Sequence, residues 1–96
     1  MVITELIWLT TFVEKLEQKH AVSTDEVEQA LSRNAQVRRI ARGDVSGEDL
    51  YRVVGRTDTG RYLAIFFIYK GRGRALVISA RDASRRERKS YGKSKQ

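Results

Sequence analysis

The sequence predicts an α+β fold with the element order β-α-α-β-β-β-β-α. Two N-terminal helices would pack on one face of an antiparallel sheet of about five strands. Three observations carry this expectation. Apolar residues recur at helical spacing between Phe12 and Leu31. From Val37 the period changes to that of strands and stays so to Ala80. Three Ser/Thr-x-x-Glu boxes mark helix starts ahead of Val13, Val27 and Arg88.

Each element follows from its residues. Val2 to Trp8 has a strand-like composition, with Ile3, Ile7 and Trp8. In Thr11-Phe12-Val13-Glu14 the threonine is expected to cap a helix whose apolar side holds Phe12, Val13, Leu16 and His20. Ser23-Thr24-Asp25-Glu26 opens a second helix, and Asp25, Glu26 and Glu28 suit the positive end of its dipole. Val27, Ala30 and Leu31 form its apolar stripe, and Asn34 is the expected stop. Val37 to Ala41 is a short strand, and residues 43–49 form a loop. Leu50 to Arg56 and Arg61 to Tyr69 are joined by Asp58-Thr59-Gly60, where glycine accepts a positive φ. Leu63 to Ile68 is apolar on both faces, as a central buried strand requires. Gly71-Arg72-Gly73 turns the chain into the last strand, Arg74 to Ala80. Ser84-Arg85-Arg86-Glu87 then opens a short basic helix to about Tyr91.

At 96 residues the chain has room for one core. We expect a single domain over residues 1–91 and a flexible basic tail over 92–96. Hydrophobic residues make up 41% and charged residues 32%, a globular balance. There is no cysteine, which excludes a disulfide framework and suits a reducing compartment. The N-terminus lacks the pattern of a signal peptide, and no apolar run approaches the roughly 20 residues of a membrane span. A cytoplasmic location without membrane contact is therefore expected.

The net charge is +7, and its placement is uneven. Residues 70–96 carry ten Lys/Arg against Asp82 and Glu87, whereas residues 1–69 carry nine against ten Asp/Glu. Such asymmetry points to a polyanion, with nucleic acid first. A solubilising tail is the alternative. The phosphate-binding candidates are Arg72, Arg74, Arg81, Arg85, Arg86, Arg88 and Lys89, since the arginine fork grips phosphate with two hydrogen bonds. Tyr62, Tyr69 and Tyr91 are candidate stacking surfaces for unpaired bases, or else residues of the core edge. His20 is the only histidine, so no zinc site and no cofactor are expected. Gly71-Arg72-Gly73 lacks the third glycine and the following helix of a dinucleotide fingerprint.

Three stretches together resemble one family. Ile78-Ser79-Ala80-Arg81-Asp82-Ala83-Ser84-Arg85-Arg86-Glu87-Arg88, followed by Tyr91, is similar to the ending of BrnT toxins. Val54-Gly55-Arg56-Thr57 with Gly60-Arg61-Tyr62-Leu63 resembles that family's hairpin, and Lys19-His20-Ala21-Val22-Ser23 with Glu26 its KHGVS segment. Ala21 stands where the family usually has glycine, and Trp8-Leu9 replaces its Trp-Asp start. The resemblance implies a RelE-like fold and a ribonuclease toxin of a type II toxin–antitoxin pair. It also implies a BrnA-like antitoxin with an acidic segment and a ribbon-helix-helix domain.

Metal-free RNA cleavage uses the ribose 2′-hydroxyl as nucleophile. It needs a base, an acid and cations for the phosphorane. Arg81 is the expected phosphate clamp, unless it pairs with a nearby carboxylate. His20 is the candidate acid or base, or a helix-terminal histidine held by the dipole. Glu87 is a second candidate base, although its capping box explains it structurally. Tyr91 is a candidate for base stacking or proton donation. Two rivals fit the same residues: a basic RNA-binding module without catalysis, and a degenerate toxin that only binds its antitoxin.

Overall fold

The computed structural model describes residues 2–32, 36–43 and 48–94. The elements run β1 (Glu5–Ile7), α1 (Thr10–His20), α2 (Thr24–Leu31), β2 (Gln36–Ala41), β3 (Leu50–Arg56), β4 (Tyr62–Gly71), β5 (Arg74–Asp82) and α3 (Arg85–Ser94). The five strands form one sheet in the order β1-β5-β4-β3-β2. β1 joins β5 in parallel and every other pair is antiparallel. The α+β class, the element order and the five strands are as expected, and the parallel β1–β5 pair departs from the expected antiparallel sheet.

β4 is the central strand, as its doubly apolar composition requires. Leu63, Ile65 and Phe67 are fully buried on the face that α1 and α2 cover, with Leu16, Val27 and Ala30 from those helices. Gly55 lets α2 approach β3, because a methyl group there would overlap the Ala30 carbonyl. Gly60 closes the β3–β4 hairpin at φ 94°. A bulge at Ile78, between the pairs Phe66–Ser79 and Phe67–Val77, keeps both Val77 and Ala80 in the core. Arg81, beside Ala64, then points to the sheet's other face.

Several expected boundaries shift. β1 is only Glu5–Ile7. The Thr11–Glu14 box does not form: α1 already begins at Thr10, and Leu9 is its N-cap without a side-chain bond. The Leu9 carbonyl instead accepts from Phe12 and Val13, so Thr11 lies inside the first turn. The other two boxes form, Ser23 with Glu26 and Ser84 with Glu87. α3 continues to Ser94, so residues 92–94 are helical rather than tail. Asn34 and residues 44–47 and 95–96 lie outside the described residues. Among the described residues no helix is long and apolar enough to cross a membrane.

Candidate nucleic-acid interface

The sheet face opposite α1 and α2 is only partly covered. α3 crosses it, held by Tyr91 and Glu87, which keep 4% and 6% of their surface exposed. The Tyr91 ring meets Tyr62 edge-on at 5.5 Å. It is therefore already packed, and the stacking role expected of it finds no open ring face. Arg88 lies 4.7 Å and Arg56 5.4 Å from the centre of the Tyr62 ring. Tyr62, Ala83, Arg85, Arg88 and Lys89 line a shallow groove of about 350 Å³ beside it.

The centre of this face is one carboxylate between two arginines. Glu87 occupies the third position of α3, where its capping box with Ser84 sets the side chain: Ser84 N–H donates to Glu87 Oε1 at 2.8 Å. Arg81, from the end of β5, grips both carboxylate oxygens at 2.7 and 3.1 Å. Arg52, from the middle of β3, reaches Oε2 at 3.2 Å. The Arg81 hydrogen bonds hold the Glu87 carboxyl down to about 2, against the opposing effect of burial, with help from the Ser84 N–H. The same contact raises Arg81 above its ordinary value. Arg81 also lies 5.3 Å over the Phe66 ring and donates to the Asp82 carbonyl. Arg38 sits beside Arg52 across the β2–β3 ladder.

A different arginine ties the corner of the fold. Arg61 donates to Asp82 at 2.6 Å, to Glu26 at 3.1 Å, and to the carbonyls of Ala21 and His20 at 2.8 and 3.0 Å. Asp82 is lowered chiefly by the Arg61 bond and also by the charge of His20. Glu26 is lowered chiefly by the Ser23 backbone bond, with Arg61 adding to it.

The structure thus brings Arg81 and Glu87 together, with Arg85, Arg88 and Lys89 one turn away on α3. Arg86 is exposed on the same helix. His20 is exposed at the end of α1, where it lines a groove with Lys15, Lys19, Ile78 and Ser79 along the edge of β5 that β1 leaves open. Its link to Arg81 is Asp82, whose carboxyl feels His20 and whose carbonyl accepts from Arg81. Arg72 and Arg74 belong to the β4–β5 turn; seven residues at ~3.3 Å each put Arg74 roughly 23 Å from Arg81 along β5. Tyr69 accepts the Gly73 N–H in that turn, so it closes the hairpin. Arg52, Arg38 and Phe66 are the members that sequence reasoning missed. The signal for Arg38 and Arg52 was arginine inside predicted strands, at positions the alternation assigns to one face; Phe66 carried none apart from its place in the apolar run Leu63–Ile68.

Among the described residues no group of three or more His, Asp or Glu gathers as a metal site would. The chain is thus an α+β domain that presents arginines on an open sheet face, with one buried carboxylate holding two of them. Residues 13–87 match the family model described as "Ribonuclease toxin, BrnT, of type II toxin-antitoxin system", and the chain belongs to this family. Its fold is similar to the 1.1 Å crystal structure of the Brucella abortus ribonuclease toxin BrnT. That likeness has a TM-score of 0.61 at 24% identity, over 85% of this chain and 99% of that one. No curated protein matches. Membership carries with it an RNA substrate and an antitoxin partner.

Proposed function

We propose that this chain cleaves RNA by attack of the ribose 2′-hydroxyl on the adjacent phosphorus, without a metal ion, and inhibits translation in the cytoplasm. The observation that carries this reading is the pair of arginines held on Glu87 at the mouth of a cationic sheet face. Arg81 keeps 38% of its side chain exposed while two bonds to Glu87 fix its guanidinium. A cation fixed in this way stabilises charge developing on a phosphorane without reorganising. Glu87, ionised down to about 2 and engaged by three groups, is a positioning residue here. His20, the single histidine of the sequence, is exposed on the other side of the β5 end and is the group we assign to proton transfer. Arg85, Arg88 and Lys89 hold the RNA backbone along α3. The partner is a BrnA-like antitoxin whose acidic segment covers this face; such binding weakens with salt.

The test is cleavage of a single-stranded RNA and its DNA counterpart in EDTA, beside Arg81→Ala and His20→Ala. RNA-only cleavage that falls about a hundredfold in Arg81→Ala supports the reading. RNA that is bound but left intact, with and without ribosomes, refutes it in favour of a non-catalytic RNA-binding module.

A further inference from the structure

We infer that the RNA backbone runs across the sheet along one line of side chains, Arg38–Arg52–Phe66–Ser79, with Arg38 and Arg52 contacting phosphates. This inference deepens the reading above and rests on it. The register places these residues in direct cross-strand succession: Arg38 opposite Arg52, Arg52 opposite Phe66, and Phe66 opposite Ser79. Residues paired in this way share a face. Three strand spacings of ~4.8 Å make the line roughly 14 Å long. It begins on β2, the edge strand beside β3 among the described residues. It ends on β5 at Ser79, beyond the stretch Arg74–Leu76 where β1 pairs. Among the described residues no strand of the sheet closes either end of the line.

The donors of the arginines separate structural from available cations. A guanidinium has five N–H groups. Arg61 commits its fork to Asp82, Glu26 and two carbonyls. Arg81 is bound to Glu87 through two nitrogens and to the Asp82 carbonyl. Arg52 makes a single bond, to Glu87, among the described residues, and 25% of its side chain is exposed. Arg38 is exposed, and no carboxylate among the described residues lies within ion-pair distance of it. These two therefore retain the donors that phosphate oxygens would accept. Glu87 cancels one positive charge of Arg52 and Arg81, and Arg38 restores it on the same line.

Arg39 supplies the control. It is next to Arg38 on β2 and pairs with Tyr51, whose ring stacks on Phe67 of the helix-covered face. Alternation therefore turns Arg39 away from the line, where it meets Asp49 at 3.5 Å. Arg38→Ala and Arg39→Ala remove the same charge one residue apart but on opposite faces. The measurement is binding of a single-stranded 2′-O-methyl oligoribonucleotide, which lacks the nucleophile, as a function of salt. The expected result is a roughly five- to tenfold loss for Arg38→Ala, with a salt slope shallower by about 0.7, the value of one phosphate contact on a single strand. Arg39→Ala should bind like the parent. Arg52→Lys, which keeps the charge but not the fork, should lose affinity with an unchanged slope. Equal losses for Arg38→Ala and Arg39→Ala, or none for either, would overturn the track while the parent chain still binds and cleaves RNA. A parent chain that binds no RNA at any salt overturns the functional reading itself, and the track with it.

Discussion

Glu87→Gln tests whether the arginine pair is held by charge. The substitution preserves size and an acceptor for the Ser84 N–H, but it leaves Arg81 and Arg52 facing each other without an anion. Glu87 is held from its ordinary 4.5 down to about 2. At ~1.4 kcal/mol per pKa unit that difference corresponds to roughly 3 kcal/mol of folding stability. Arg81 is 38% exposed on its side chain, so solvent screens part of the attraction. We expect a loss of about 2–3 kcal/mol at pH 7, read by urea unfolding. Because the folded-state pKa is depressed, the parent holds this stability above the unfolded value near 4.5 and loses it as pH falls toward about 2. The gap between parent and variant should stay constant from pH 7 to about 5, and less than half should remain at pH 3. A gap under ~0.5 kcal/mol at pH 7, or one that does not narrow by pH 3, refutes the reasoning.

Three further outcomes follow from the backbone and the corner. Ala21 holds a left-handed conformation at φ 51°, so Ala21→Gly should stabilise the chain by about 1 kcal/mol, seen as a raised melting temperature. Gly55→Ala should destabilise by about 2–3 kcal/mol in the same assay, since the added methyl meets the Ala30 backbone rather than a flexible side chain. Arg61→Ala should cost about 2 kcal/mol by unhooking the Ala21 and His20 carbonyls from the strands. In an NMR titration of that variant, the Asp82 and Glu26 carboxyls should return toward their ordinary range.

Elements dictated by local chemistry were legible in the sequence. Ser23 and Ser84 capped where expected, because each box is complete within four residues. β4 was legible as the central strand, because six apolar residues in a row need cover on both faces. The Thr11 box failed because a helix start is set by the first carbonyl that accepts, and Leu9 does so without a capping side chain. The site was half legible. Arg81 and Glu87 are close in sequence, and their contact spans a single turn into α3. Arg52 is 35 residues from Glu87, and only the β3–β4–β5 register brings it there. The glycine expected from the family at position 21 has its physical reason in the left-handed φ that Ala21 adopts.

Glu87 shows why local and tertiary roles cannot be separated on this face. Read along the chain, it is the acidic partner of a capping box, which accepts the Ser84 N–H at the start of α3. Read across the sheet, it is the anion that fixes Arg81 and Arg52. The two descriptions share one oxygen, Oε1, which accepts from both the Ser84 N–H and Arg81. If α3 lifts from the sheet, the cap survives but the arginines lose their counter-ion. If the arginines are removed, the helix keeps its start but leaves a 6% exposed carboxylate without a cation. Docking of α3 and orientation of the cations therefore form one thermodynamic unit, and their mutations should not be additive. A polyanion that engages Arg52 competes with Glu87 for that arginine, whereas one that engages Arg38 does not.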